Sequence, residues 1–403
     1  MKTLFGFCIF SIVLGPLAAD EIVNGQKPSG KPITLTFTED LRFGADEDDD
    51  HYLWALNTTG LAVDKQGHMY VADTKESQIL EFDAEGKFLR VLMPKGPGPG
   101  EVARLASFQI LPDGRGIALE SGPGTLPKFH FLDENLKFVE AKSPQGFGVF
   151  PISAVFAPDL SHFGSTFLSF DLNNGKMVTK TGVLNMEFQT VKEFSSQSQD
   201  VDFQNFANPE ILSQFIIDLL RNAFRGVGVT AFDLKGNMYS AISTNYEITK
   251  WDPTLEKSLK VIKRDCKVLP NTQPNIDAIV ERVLESFRLA PGLEQLITPA
   301  FVEKVKQKAE LPPTKNPVNG FVLMEDGAFL VVHDVNAATN EQTADIFNPD
   351  GKYVGQVSMP NAVFLGPAGN PRMIFKNGFA YTVQTDENDE NRVIRYRYER
   401  TKI

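Results

Sequence analysis

The side chains in this chain best suited to acid–base or metal chemistry are five histidines: His51, His68, His130, His162 and His333. None lies in a His-x-His or His-Glu-x-x-His pair, the spacings that bring two imidazoles to one metal. His68 falls where a turn passes into a strand, which predicts exposure to solvent. His130 alternates with Phe129 and Phe131, so it points to the other face of a strand. No Gly-x-Ser-x-Gly elbow and no loop ending in Gly-Lys-Ser/Thr is present. Gly96-Pro-Gly-Pro-Gly100 is rich in glycine, but its prolines lack the amide donors a phosphate cradle needs, and it reads as a connector. Of the two cysteines, Cys8 and Cys266, the second has no histidine nearby in sequence and reads as a tolerated thiol. No catalytic residue and no organic cofactor is assigned on these grounds.

Two acidic runs are the remaining chemical feature, Asp46-Glu-Asp-Asp-Asp50 and Asp386-Glu-Asn-Asp-Glu390. Crowded carboxylates repel unless a cation intervenes, and hard oxygen ligands suit Ca²⁺. Asp46, Asp48, Asp50, Asp386 and Asp389 are therefore the candidate metal ligands, with Ca²⁺ as the cation, provided the fold brings the two runs together. No twelve-residue calcium loop supports the assignment.

The elements that must position these groups come as a loose repeat. Gly60-Leu-Ala-Val-Asp-Lys-Gln-Gly-His-Met-Tyr-Val-Ala-Asp73, followed by Gln78-Ile-Leu-Glu-Phe-Asp-Ala-Glu-Gly-Lys-Phe-Leu-Arg-Val-Leu92, reads as four strands joined by tight turns. Related stretches recur at about 105–142, 152–194, 229–251, 320–357 and 373–398. A sheet of this size cannot bury both faces alone, so its copies must stack around an axis. The predicted fold is all-β, a six-bladed β-propeller. The last copy has only three strands, and the alternating segment Ile33-Thr-Leu-Thr-Phe-Thr38 supplies the fourth, sealing the ring. Strand counting then puts both acidic loops on one face of the same blade junction.

Two stretches interrupt the repeat, at about 201–226 and 270–316. In the first, Asn208-Pro209 starts a helix whose Leu212, Phe215, Ile216, Leu219, Leu220 and Ala223 share one face. In the second, Ile276, Ile279, Val280, Val283, Leu284 and Phe287 mark another helix, and Thr298-Pro299 caps a third. Each insert follows the last strand of one blade and precedes the first of the next, so both helical insertions belong on one face. Their apolar stripes either roof exposed ring surface or form a lid. Phe215 and Leu219 are the candidate binding-face residues.

Lys2, the apolar run Leu4–Leu14 and the small residues before Asp20 predict a signal peptide over 1–19, leaving 20–403 as the propeller. Phe7, preceding Cys8, does not fit a lipid-anchor signal. No other segment is long enough to span a membrane. The expected location is periplasmic or extracellular, with a monomer as the expected state. The net charge of −11 opposes nucleic-acid binding. Phenylalanine is abundant (32, against 2 Trp), which suits packed faces between blades and argues against a WD-type repeat.

On Gly60-Leu-Ala-Val-Asp64, Gly67-His-Met-Tyr-Val-Ala-Asp73, Ile79-Leu-Glu-Phe-Asp83, Gly86-Lys-Phe88 and Gly96-Pro-Gly-Pro-Gly-Glu101, the chain resembles secreted bacterial six-bladed β-propeller proteins and the NHL-repeat group. The resemblance implies a fold and no single function, because this superfold hosts lactonases, lyases, sugar-binding proteins and scaffolds. Two functions follow as expectations: a non-catalytic scaffold binding a protein or small ligand at its helix-covered face, or a metal-dependent hydrolase or lyase of lactonase/NHL type. The starts of the innermost strands, such as Thr58-Thr59-Gly60, Ala106-Ser107 and Val227-Gly228, are mostly small and uncharged. That favours binding over a charged metal cage.

Overall fold

The computed structural model describes residues 19–44, 59–122, 125–143, 149–171, 173–288, 292–360, 373–385 and 391–402. Within them the repeat folds as six sheets. Blade one shows the local logic. Its strands Thr59–Val63, Met69–Asp73, Gln78–Phe82 and Phe88–Met93 pair antiparallel in sequence order. The first turn is held by Asp64, whose Oδ1 accepts the N–H groups of Gln66 and His68 at 2.9 and 2.8 Å. Gly67 takes φ +88°, a conformation that a side chain would strain. Asp83 and Gly86 repeat the device between strands three and four.

Blades two to five occupy 105–142, 150–200, 228–264 and 320–359, and blade six joins 373–402 to the N-terminal strand Ile33–Phe43. Ile33–Phe43 pairs antiparallel with Asn391–Lys402, so the ring closes as strand counting predicts. Blade three departs most from the repeat: its inner edge is two short pieces, Phe150–Pro151 and Val155–Phe156, on a ten-residue second strand.

The core is divided among the blade junctions. Tyr70 and Ile79 of blade one pack with Leu105 and Ala118 of blade two. Phe129 meets Phe156, Phe163 and Phe188 across the next junction. Smaller or similar clusters join three to four, four to five, five to six and six to one. Much of the phenylalanine excess sits in these seams.

Asp20–Asn24 adds a fifth, parallel strand to the outer edge of blade four. From there the chain passes blade five, where the Ser29 N–H donates to Tyr353 O at 2.8 Å, before reaching blade six. The N-terminal segment is thus a belt over the outer rims of three successive blades. Asn24 is its buried clasp: Nδ2 donates to the carbonyls of Lys263 and Gly351, and Oδ1 accepts the Tyr353 N–H.

Helix α1 (Pro209–Phe224) lies between blades three and four; α2 (Gln273–Arg288) and α3 (Pro299–Ala309) lie between four and five. Asn208 and Thr298 cap α1 and α3 through their side chains, with Pro at the first turn of each. Their apolar stripes pack on one another: Leu212, Ile216 and Leu220 of α1 meet Val280 and Leu284 of α2 and Phe301, Val302 and Val305 of α3. The apolar cluster they form holds residues of the two inserts alone. Polar contacts tie the helices to the ring. Arg282 donates to the Ala337 carbonyl at 2.5 Å and to Asn340 Oδ1, and Asn222 donates to Gln199 at 3.2 Å.

Candidate functional site

The helix-bearing face carries a cleft of about 650 Å³ between blade four, blade five and the connectors of the helical insert. Its walls come from the 244–247 hairpin, the strand end at 263–269 and the returning segment 312–317. On its floor Arg264 Nη1 donates to Asp345 Oδ2 at 2.7 Å. The Tyr246 hydroxyl donates to the same oxygen at 2.5 Å, and Gln356 donates to Asp345 Oδ1 at 2.9 Å. Gln356 Nε2 also lies 3.1 Å from His333 Nε2, which therefore accepts. The Arg264 guanidinium stacks 3.9 Å from the centre of the Tyr353 ring.

Asp345 is fully buried and Arg264 nearly so. Burial holds the His333 imidazole below its ordinary pKa, against the attraction of Asp345. Burial, then the Asp345 charge, drives the Tyr246 phenol well above its usual range, so it stays a donor. The floor is a neutral Arg–Asp pair with every Asp345 oxygen filled. Arg264 Nε, in contrast, is buried without a partner. Cys266 lines the cleft half-buried, its thiol pushed up by burial.

A second cavity, of about 720 Å³, opens on the opposite face. Strand one of each blade starts on the helix side and ends at a turn on this far side. Residues from the far ends of those first strands and from the turns beyond them line it in all six blades, including Leu61, Ile110, Phe156, Phe232, Leu323 and Ile374 of the strands. On one wall the Tyr70 hydroxyl lies 3.1 Å from Asp64 Oδ2 and 3.2 Å from Glu81 Oε1. His68 Nδ1 is 3.2 Å from Glu81, and Arg90 Nε donates to Glu81 Oε2 at 2.6 Å. Burial, then the Asp64 and Glu81 charges, raises the Tyr70 phenol far above its ordinary value. Burial would raise Glu81, but hydrogen bonds from Arg90 and His68 outweigh it and hold the carboxyl below its usual range.

The predicted site residues distribute as follows. Asp46, Asp48, Asp50, Asp386 and Asp389, and His51, lie outside the described residues. Among the described residues no three His, Cys, Asp or Glu side chains converge as a metal site. Phe215 and Leu219 lie half-buried on α1. The Phe215 ring packs edge-on against Phe206 and Phe287, and it borders a cavity of about 290 Å³ against the blade-three hairpin. Phe215 thus faces the other helices as much as any opening. His68, expected in solvent, is half-buried and engaged with Glu81. His130 is buried, 2.9 Å from Glu120, within blade two.

Sequence reasoning missed Asp345, Arg264, Tyr246, Glu81 and Tyr70. A signal existed: Asp345 and Glu81 interrupt apolar runs in third strands, Ala344-Asp-Ile-Phe347 and Ile79-Leu-Glu-Phe82. Both faces of such a strand are covered by neighbouring blades, so a carboxylate there demands a partner.

Residues 59–131, which span blade one and most of blade two, match a family model described as 6-bladed beta-propeller (DUF5128). The chain resembles bacterial six-bladed propeller proteins, as its repeats predict. No curated protein matches the sequence. Among solved structures it is similar to a DUF4221 family member from Bacteroides vulgatus, at 10% identity and TM-score 0.48, covering 93% of this chain and 100% of that one. A candidate exported protein from Bacteroides fragilis gives 10% identity and TM-score 0.47, over 94% and 99%. The PQQ-bound aldose sugar dehydrogenase of Streptomyces coelicolor gives 11% and 0.42, over 93% and 100%. These values are too low to carry a function from one chain to another. Among the described residues no helix is long and apolar enough to cross a membrane.

Proposed function

We propose that this protein is an exported, non-catalytic propeller that binds a small polar ligand on its helix-bearing face, in the cleft between blades four and five. The observation that carries this reading is the floor of that cleft. Burying an ion pair costs several kcal/mol per ion and seldom stabilises a fold more than apolar packing would. Arg264 and Asp345 are nevertheless buried there, oriented by Tyr246 and Gln356, with one guanidinium N–H unfilled. A native structure leaves few such donors without partners. That N–H is itself buried, so a ligand carbonyl, hydroxyl or carboxylate oxygen completes Arg264 only where the floor opens to admit it, and the half-buried walls supply the enclosure a small-molecule site needs. Export is supported by the basic, apolar and small-residue order of residues 1–19.

Cys266 provides a built-in reporter, since it lines the cleft. Its thiol is raised by burial, so alkylation by iodoacetamide is followed above neutral pH. A ligand of the cleft slows that alkylation saturably, with the same midpoint as its calorimetric binding curve. A small polar molecule that binds tightly yet leaves Cys266 labelling unchanged would place binding elsewhere and overturn the assignment. Mass measurement of the exported protein tests the leader: loss of about 19 residues is expected.

A further inference from the structure

The cavity on the face away from the helices has a composition of its own. Its wall is apolar, with Leu61, Ile110, Phe232, Leu323 and Ile374 half-exposed around the opening. Its rim is acidic, and most rim carboxylates already hold a cation. Glu81 holds Arg90, Asp113 holds Arg115, Asp233 holds Lys250 and Glu325 holds Lys376. Asp64 is different. Its Oδ1 is occupied by two backbone N–H groups of its own turn. Its Oδ2 has only the Tyr70 hydroxyl, and that single proton lies between Asp64 and Glu81 at nearly equal distances. Tyr70 can serve one carboxylate at a time. The nearest ring nitrogen, His68 Nδ1, is 4.0 Å from Asp64 and closer to Glu81. Among the described residues no Lys or Arg pairs with Asp64, whose side chain is 14% exposed.

We infer that this cavity is a second ligand site, which takes an apolar molecule carrying one cationic nitrogen, with the nitrogen on Asp64 and the apolar body against Phe232 and Leu323. Three physical terms favour that class. The apolar body leaves water for a wall built from all six blades. The ammonium donates to an under-supplied carboxylate in a partly desolvated place, where charge-assisted hydrogen bonds are strongest. With a cation on Asp64, the Tyr70 hydroxyl is free to donate to Glu81 alone. An anion in the same place would meet the Asp64 carboxylate and is disfavoured. This site is independent of the helix-face cleft and does not rest on it.

The test uses three probes with one indole body and different head groups: tryptamine (cation), tryptophol (neutral) and indole-3-acetate (anion). Titration calorimetry on the full exported chain is expected to show saturable one-to-one binding of tryptamine. Binding at least about tenfold weaker is expected for tryptophol, and none for the acetate. Asp64→Asn should abolish the preference for tryptamine while leaving the fold intact. The same turn elsewhere is built on Asn185 and Asn348, whose Oδ1 atoms accept the equivalent N–H groups. Leu323→Trp, which adds bulk where the apolar body is placed, should weaken binding of both tryptamine and tryptophol with an unchanged melting temperature. Tryptamine should leave Cys266 alkylation untouched, because Cys266 lies on the other face. The inference is overturned if none of the three binds at millimolar concentration, if the three bind alike, or if the acetate binds best. It is also overturned if Asp64→Asn keeps the cation preference, or if tryptamine protects Cys266.

Discussion

Asn24→Ala removes the clasp where the N-terminal belt, blade four and blade five meet. The lost bonds are Nδ2 to Lys263 O and to Gly351 O, both 3.1 Å, and Tyr353 N–H to Oδ1 at 2.8 Å. Each buried hydrogen bond is worth about 1 kcal/mol net, and a buried donor left without a partner costs ~1–3 kcal/mol. Water has little room to substitute, since a Cβ added at Gly351 would sit 2.7 Å from Ile262 Cδ1 and 3.2 Å from Ile22 Cδ1. The expected loss is about 3–5 kcal/mol. A chain of this length has an unfolding entropy of roughly 0.8 kcal/mol/K, which converts that loss to a fall of about 4–6 °C in melting temperature. Calorimetry measures the shift, and hydrogen exchange should show lost protection at Tyr353 and along 258–264. Val23→Ala, on the same strand but 72% exposed, should shift nothing. A shift below about 1 °C for Asn24→Ala, with exchange unchanged, would refute the clasp and the belt it secures.

Further expectations follow from the same packing. Deleting 20–43 strips the outer strand from blades four and six and should lower the melting temperature strongly and promote aggregation; an unchanged melt counts against ring closure by this segment. Ile216→Asp puts a charge into the separate helical core and should open the inserts while the sheets survive, read as rapid proteolysis within 203–226 and 270–316 with a stable ring fragment. If the ring unfolds with the helices, the two cores are one unit. His130, His162 and His333 are each held below the ordinary histidine value of 6.5, chiefly by burial. The unfolded chain then binds protons the native state refuses, so stability is complete above about pH 6.5 and falls as pH drops below it. Melting temperatures between pH 7.5 and 5.5 should therefore decline, and His130→Gln should flatten the slope; a slope that does not change assigns the loss to other groups.

The blades were legible because their determinants are local. A turn such as Asp64-Lys-Gln-Gly67 needs one acceptor and one positive φ a few residues apart, and period-two alternation reports a strand whatever surrounds it. Ring closure by Ile33–Phe43 was also legible, because an incomplete last blade and a spare strand at the other terminus have one sealing solution. The helix starts at Asn208-Pro209 and Thr298-Pro299 belong to the same class: a cap acts on the next three residues.

Only the tertiary structure decided what those elements touch. Nothing in Asp20-Glu-Ile-Val-Asn24 announces a parallel strand on a blade more than two hundred residues away, since edge pairing depends on backbone groups that every residue carries. The helical stripes of 209–309 state that something apolar must cover them and cannot say whether that is the ring or each other. Arg264 and Asp345 stand eighty-one positions apart and become a pair only when blades four and five pack. The cavity beside Asp64 takes its wall from the ends of six first strands and their turns, each ordinary by itself. Hydrophobic period and turn chemistry are one-dimensional signals, whereas a cleft or a desolvated charge arises where distant segments meet, and that meeting is set by the stacking of the blades.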